Sequence, residues 1–220
     1  MQTPHHLSVL NHTYENGQMC NWSETRMSVT MIKALNWIND PLTDTSFNLE
    51  AKRDKRFQQL MAVRYPVNKA PAGAYVDSRA EIRDQITVWP FKFFHGPGLF
   101  NTNVPVIRLA EILLTRSILR FNMGNFSGAA DDLNTVRKRS WDESIGGVYQ
   151  PITTNNITAE MIHLERMVEM FNEPDRIEYL RSLKVDIPAG DRENTSVEPY
   201  TSERFVWAVP VEESIYNENL

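Results

Sequence analysis

The chain has 220 residues, 41% of them hydrophobic and 23% charged, with a net charge of −5 and a pI near 5.6. That composition suits one large or two small globular domains with enough apolar material for a core, and it lacks the basic excess that a nucleic-acid surface needs. The single cysteine, Cys20, excludes an internal disulfide and a cysteine-based zinc site, and no apolar run approaches the roughly 18–20 residues that span a bilayer.

Residues 1–103 are rich in Asn, Thr, Pro and aromatics and show weak periodicity. The stretch before Cys20 reads NHTYENGQM, without the basic-then-apolar run of an export signal, so Cys20 does not read as a lipid-anchor cysteine. Helical patterning in this half is confined to about Val29–Ile38 and Ala51–Val63. Prolines at 41, 66, 71, 90, 97 and 105 divide the rest into loops and short extended pieces, among them one or two strands within Gln85–Phe94. Two basic clusters stand out, KRDKR at 52–56, which Asp54 interrupts, and RKR at 137–139, which reads as a solvated helix end.

From Val104 the pattern sharpens. Val106, Ile107, Ala110, Leu113, Leu114, Ser117, Ile118 and Phe121 recur at three- and four-residue spacing, as on one face of a helix. Gly124 suits the left-handed position that ends it. A second helix carries Phe126, Ala129, Ala130, Leu133 and Val136 on its buried face, and the short connection implies antiparallel packing. A third begins at Thr158, a candidate N-cap, with an apolar stripe of Met161, Leu164, Met167, Val168 and Phe171. Pro174 ends or kinks it, and a short fourth helix spans Asp175–Leu183. The expected fold is mainly α: a tetratricopeptide-like helix pair plus further helices, packed with a loop-rich, irregular region carrying short strands.

Several segments then fall in a recognisable order. RDKRF (53–57), PVIRLAEILLTRSILRFNMGNFSGAADDLNTVRKR (105–139), LERMVEMFNEPDRIEYLR (164–181) with IPAGDR (187–192), and the tail FVWAVPVEESIYNENL (205–220) resemble consecutive signatures of the SusD/RagB-like proteins. The resemblance covers about residues 50–220. It implies a non-catalytic capture protein for glycans or other nutrients on the bacterial outer membrane, with a TonB-dependent, SusC-like transporter as partner and no cofactor or metal. It further implies that the chain is the C-terminal part of such a protein, so that membrane attachment would come only through a lipid anchor absent from this sequence. One region, 1–220, is expected, with a loop-rich ligand-facing part (1–103) and a helical part (104–220) closed by a strap. In that strap Phe205, Trp207 and Val209 alternate and bury one face.

Four charge and aromatic patterns bear on function. Glu160 and His163 share a helix face at a di-iron spacing, but only one such motif is present where bundles need two, so a solvated face is the simpler reading. Glu165, Glu169 and Glu173 lie among Arg166 and Arg176, with Arg108 and Glu111 on the first helix; this mixture suits a structural ion-pair network better than a general acid. Five Asn-x-Ser/Thr sequons read as products of an Asn/Thr/Ser-rich chain. A sugar ring has an apolar C–H face and polar edges, so its site wants a flat aromatic ring beside polar groups. Trp22 with Asn21 and Arg26, and Trp37 with Asn39, supply that combination and are the candidate ligand-binding residues. Trp89, Phe93 and Trp207 read as packing residues.

Overall fold

In the computed structural model the described residues are 27–38, 47–64, 87–90, 106–190 and 195–206. The chain divides into two compact units, Met1–Glu173 and Pro174–Leu220. The predicted change of character near residue 103, and the tail from Trp207 onward, lie outside the described residues.

In the first unit, helix α1 (Val29–Ala34) starts where the Ser28 hydroxyl accepts the Met31 N–H at 3.1 Å. It is shorter than the predicted Val29–Ile38 because Asn36 adopts φ 54°, and the chain turns so that Trp37 and Ile38 drop into the core. Asn48 fastens this turn, donating its backbone N–H to the Trp37 carbonyl at 2.8 Å and its side-chain amide to the Asn36 carbonyl at 3.0 Å.

The single helix expected over Ala51–Val63 is replaced by three pieces: α2 (Leu49–Lys52), α3 (Lys55–Leu60) and strand β1 (Met61–Arg64). Asp54 makes the break. Its carboxylate accepts the Arg56 N–H at 2.8 Å, a local turn that competes with the helix, while its backbone forms an isolated bridge with Trp141. β1 pairs antiparallel with β2 (Thr87–Pro90), Val63 opposite Val88, within the predicted Gln85–Phe94 segment. Between these pieces lies an apolar cluster of Met27, Ile32, Trp37, Phe47, Val88 and Val168, with Phe57 packed against it.

Helix α4 (Leu109–Asn122) buries Ala110, Leu114, Ser117 and Ile118, as their spacing predicts. Val106 and Ile107 precede it, 93 and 70% exposed, so the apolar periodicity overran the helix at its front. At its end Gly124 takes φ 78°, a left-handed conformation that glycine adopts without side-chain strain. Helix α5 (Phe126–Ser140) follows, with the Asn125 side chain accepting the Gly128 N–H. The pair is antiparallel, since Ser117 Oγ donates to the Ala129 carbonyl at 2.8 Å while Arg120 reaches Gly128 and Asp132. Ala129 and Ala130 are buried and allow the close approach; Phe126, expected inside, is 41% exposed with its edge on Phe121. After α6 (Glu143–Gly146) comes α7 (Ala159–Glu169), whose N-cap Thr158 accepts from the Met161 N–H.

The second unit holds α8 (Arg176–Ser182), within the predicted Asp175–Leu183. It is followed by an isolated bridge between Ile187 and Glu198 and a 3-10 turn at Glu203–Phe205. Tyr179 and Leu180 are buried, and the Arg181 guanidinium lies 5.1 Å over the Phe205 ring while its Nε donates to the Tyr200 carbonyl. The first residue of the predicted strap is thus held by α8 of its own unit.

Candidate functional site

Helix α7 departs from its predicted stripe. Its buried residues are Ile162, Glu165, Arg166, Val168 and Glu169, with Met161, Leu164 and Met167 half-buried. Two carboxylates and a guanidinium therefore share the inward face with Ile162 and Val168. Buried charges are tolerable only when paired and hydrogen-bonded, and the pairs explain the register.

Arg56, 8% exposed, sits at the centre. Its Nη1 donates to Glu165 at 2.6 Å and to Glu169 at 3.1 Å, and its Nε and Nη2 donate to the two Asp54 oxygens at 3.0 and 2.8 Å. Glu169 also accepts from Arg139 of α5 at 2.7 Å and from Arg108, just before α4, at 2.7 Å. Arg108 continues to Glu173 through two hydrogen bonds of 2.7 and 3.0 Å and to the Glu169 carbonyl at 2.9 Å. Arg137 lies 3.8 Å from Glu165, and Arg166 donates to Thr115 of α4 at 2.8 Å. One carboxylate, Glu169, thereby ties α3, the entry to α4 and α5 to α7.

The electrostatics follow from this geometry. Burial alone would raise the pKa of Glu169, but the Arg56 charge and the hydrogen bonds from Arg139 and Arg108 outweigh it and bring the group down to about 2. Burial would likewise lower the pKa of Arg56, and Glu165, Asp54 and Glu169 reverse that and hold it above the ordinary arginine range. A carboxyl with so low a pKa holds no proton to donate near neutral pH, so Glu169 does not fit the part of a general acid.

The network expected from the sequence is present in Glu165, Glu169, Glu173 and Arg108, and it extends to residues outside the sequence reading. Asp54, Arg56 and Arg139 were missed. RKR is more than a solvated helix end, since Arg137 and Arg139 both reach carboxylates of α7 even though the Arg139 side chain is 57% exposed. The signal was available in the carboxylates at 165 and 169, four apart on one face with only Arg166 nearby to balance them; the isolated RDKR cluster was the obvious supply of cations. Arg176 belongs to the second unit. Glu160 is exposed and His163 half-buried.

Two cavities flank the network. One of ≈130 Å³ is bordered by Trp37, Arg53, Arg56, Arg137, Trp141 and Glu165. The other, of ≈310 Å³, is bordered by Lys55, Arg56, Gln59, Arg108, Arg139 and Glu169. The first is smaller than the roughly 300–1,000 Å³ of ordinary ligand pockets, and its aromatic faces are occupied: Arg53 stacks on Trp141 at 4.2 Å, and Tyr149 meets the same ring edge-on at 5.4 Å.

Of the candidate ligand residues, Trp22, Asn21, Arg26 and Asn39 lie outside the described residues. Trp37 is described, and it is 2% exposed with its ring edge-on to Phe57 at 5.0 Å. In this arrangement it is a core side chain and presents no open face to a sugar. Phe126 presents an exposed aromatic ring.

No curated protein and no solved structure matches the chain. A family model does: the SusD family matches residues 6–181. The match reaches well in front of residue 50, where the sequence resemblance began, and stops before the tail 205–220 that the resemblance included. It encloses RDKRF, the α4–α5 pair and the Leu164–Arg181 segment, and every member of the ion network falls inside it. The chain belongs to the SusD family.

Proposed function

We propose that the protein captures a glycan or another nutrient at the bacterial cell surface, leaves it chemically unaltered, and delivers it to a TonB-dependent outer-membrane transporter of the SusC type. The observation that carries this reading is the family match over residues 6–181. Membership supports a binding role over a catalytic one, and the salt-bridged state of Glu169 agrees with it. Among the described residues no helix is long and apolar enough to cross a membrane, which is compatible with attachment through a lipid. The binding needs neither metal nor cofactor.

We place the ligand contacts at Trp22, Asn21, Arg26 and Asn39. The indole would stack on the apolar face of a sugar ring, and the amides and guanidinium would meet its hydroxyl edges. Trp37 would act indirectly, since its buried ring and the Asn48 hydrogen bonds fix the turn at Asn36–Trp37, two residues before Asn39 in sequence. Isothermal titration against a panel of oligosaccharides tests the assignment. Trp22→Ala should abolish binding with the fold intact, and Asn39→Ala should weaken it. Absence of any glycan or peptide binding, together with failure to copurify with a transporter, would refute the reading. A helical-repeat module that binds another protein is the second reading, and the exposed apolar side of α4 favours it.

A further inference from the structure

Two cations of the charged cluster have donors that the cluster does not use. The cavity of ≈310 Å³ beside Glu169 reaches the lower end of the roughly 300–1,000 Å³ of ordinary ligand pockets, and Lys55, Arg56, Arg108 and Arg139 all border it. Most of this charge is engaged inward. Asp54 and Glu165 hold Arg56, and Glu173 holds Arg108. Both Glu169 oxygens are covered, Oε1 by Arg108 and Oε2 by Arg56 and Arg139. With Arg137 near Glu165, five cations stand against these four carboxylates. The surplus lies on the cavity side. Among the described residues Lys55 Nζ has no hydrogen-bond or ion-pair partner, and its charge reaches Asp142, the N-cap of α6, from beyond ion-pair distance. Arg139 engages Glu169 through Nη2, which leaves its Nε and Nη1 without an acceptor among the described residues. Gln59 lies one turn after Lys55 on α3 and adds an exposed amide to the same wall.

We propose that this cavity binds a singly charged oxyanion carried on a sugar, either the carboxylate of a uronic acid or a sulfate ester. The sugar rests on the capture reading above; the charge rests on the geometry. The Lys55 ammonium and the free Arg139 donors offer charge-assisted hydrogen bonds, which are the strong class. One negative charge matches the surplus. A phosphate dianion would bring a second negative charge beside Glu169, and a neutral sugar would displace water from Lys55 and Arg139 without returning a counter-charge. Glu169 does not repel the oxyanion strongly, because three guanidiniums already cover it. The Gln59 amide can meet a hydroxyl of the same sugar unit. The site is separate from the ligand contacts assigned above, none of which borders this cavity.

Saturation-transfer NMR on the full chain tests it, with glucuronate, glucose 6-sulfate, glucose and acetate as probes. The expected result is binding of glucuronate or of the sulfated sugar, and whichever binds identifies the source of the oxyanion. Lys55→Gln should weaken that binding about tenfold, as for the loss of one hydrogen bond to a charged group, with an unchanged urea midpoint. Lys55→Arg should retain most of it, and any binding of glucose should be indifferent to both substitutions. Charged-sugar binding that Lys55→Gln leaves intact overturns the proposal. Acetate bound as tightly as glucuronate, and lost alike in Lys55→Gln, overturns the assignment to a sugar. Should Lys55→Gln lower the urea midpoint, Gln59→Glu decides the matter: a negative charge on the same wall should abolish binding, and binding that persists refutes the site. A chain that binds neutral oligosaccharides but neither charged sugar refutes this inference and leaves the capture reading standing. A chain that binds no sugar of either kind refutes both.

Discussion

Helix α7 serves two clusters that differ in chemistry. On one side Val168 joins Ile32, Trp37, Phe47 and Val88 in an apolar cluster, whose cohesion comes from area removed from water and from close packing. On the other Glu165 and Glu169 join Arg56, Arg108 and Arg139 in a charged one. The apolar cluster has no directional demands and degrades by degrees when a methyl group is lost. The charged cluster is held by matched donors and acceptors, and removing one member leaves buried charge less than fully compensated. The same helix is therefore tolerant on one side and exacting on the other. Three long-range segments, RDKR, the entry to α4 and α5, reach it through the exacting side.

Breaking the charged cluster should give the largest effect. Arg56→Ala leaves Asp54, Glu165 and Glu169 facing one another, and loss of one partner from a buried ion cluster costs about 3–5 kcal/mol. Urea unfolding should show that loss; a change of under about 1 kcal/mol would mean that water reaches the site and the contrast drawn above is false. Arg56→Lys should recover only a minor part, because a lysine ammonium cannot hold three carboxylates with a planar fork.

Titrating the cluster comes next in size. Glu169 has a folded pKa of about 2 against an ordinary 4.5. Its folded state favours the charged form, so its contribution is complete above about pH 4.5 and is lost as the pH falls toward 2. Linkage makes that contribution on the order of 3 kcal/mol. Stability measured from pH 5 to pH 2 should decline, and Glu169→Gln should flatten the decline while lowering stability at pH 7. An unchanged slope in that variant would assign acid sensitivity to other carboxylates.

The comparison also separates what the sequence disclosed from what it hid. The α4–α5 pair was legible because its information is local: apolar steps of three and four, small Ala129 and Ala130 at the contact, and Gly124 at the stop. Gly124→Ala tests this locality. A side chain there has open space around it but must adopt φ 78°, so the cost should be the left-handed backbone penalty alone, about 1–2 kcal/mol. The 51–63 segment misled because its periodicity is helical while Asp54 is recruited by Arg56 and by the Trp141 backbone, partners that only the tertiary fold supplies. The α7 stripe slipped for a related reason. Hydrophobic residues were assumed to mark the inward face, and here paired charges occupy much of it. At the site itself, the network was legible in its α7 members; the basic clusters holding Arg56 and Arg139 were visible too, but not their pairing, because their partners lie 113 and 30 residues away. Trp37 was ambiguous by nature, since a tryptophan beside asparagines describes a turn that enters a core as well as a sugar platform.

The apolar cluster supplies the smallest prediction and the sharpest control. Ile32 is 2% exposed in α1, where a valine keeps the branching at Cβ and removes one methyl group. Such a change costs about 1 kcal/mol. The deficit should be the same at pH 3 and pH 7 and at low and high salt, since no charge is involved. Measured beside Arg56→Ala under the same conditions, Ile32→Val should run parallel to the wild type while the arginine variant does not. If the Ile32→Val deficit changed with pH as steeply as that of the arginine variant, the two sides of α7 would be one cooperative cluster, and the division between a tolerant and an exacting face would fail.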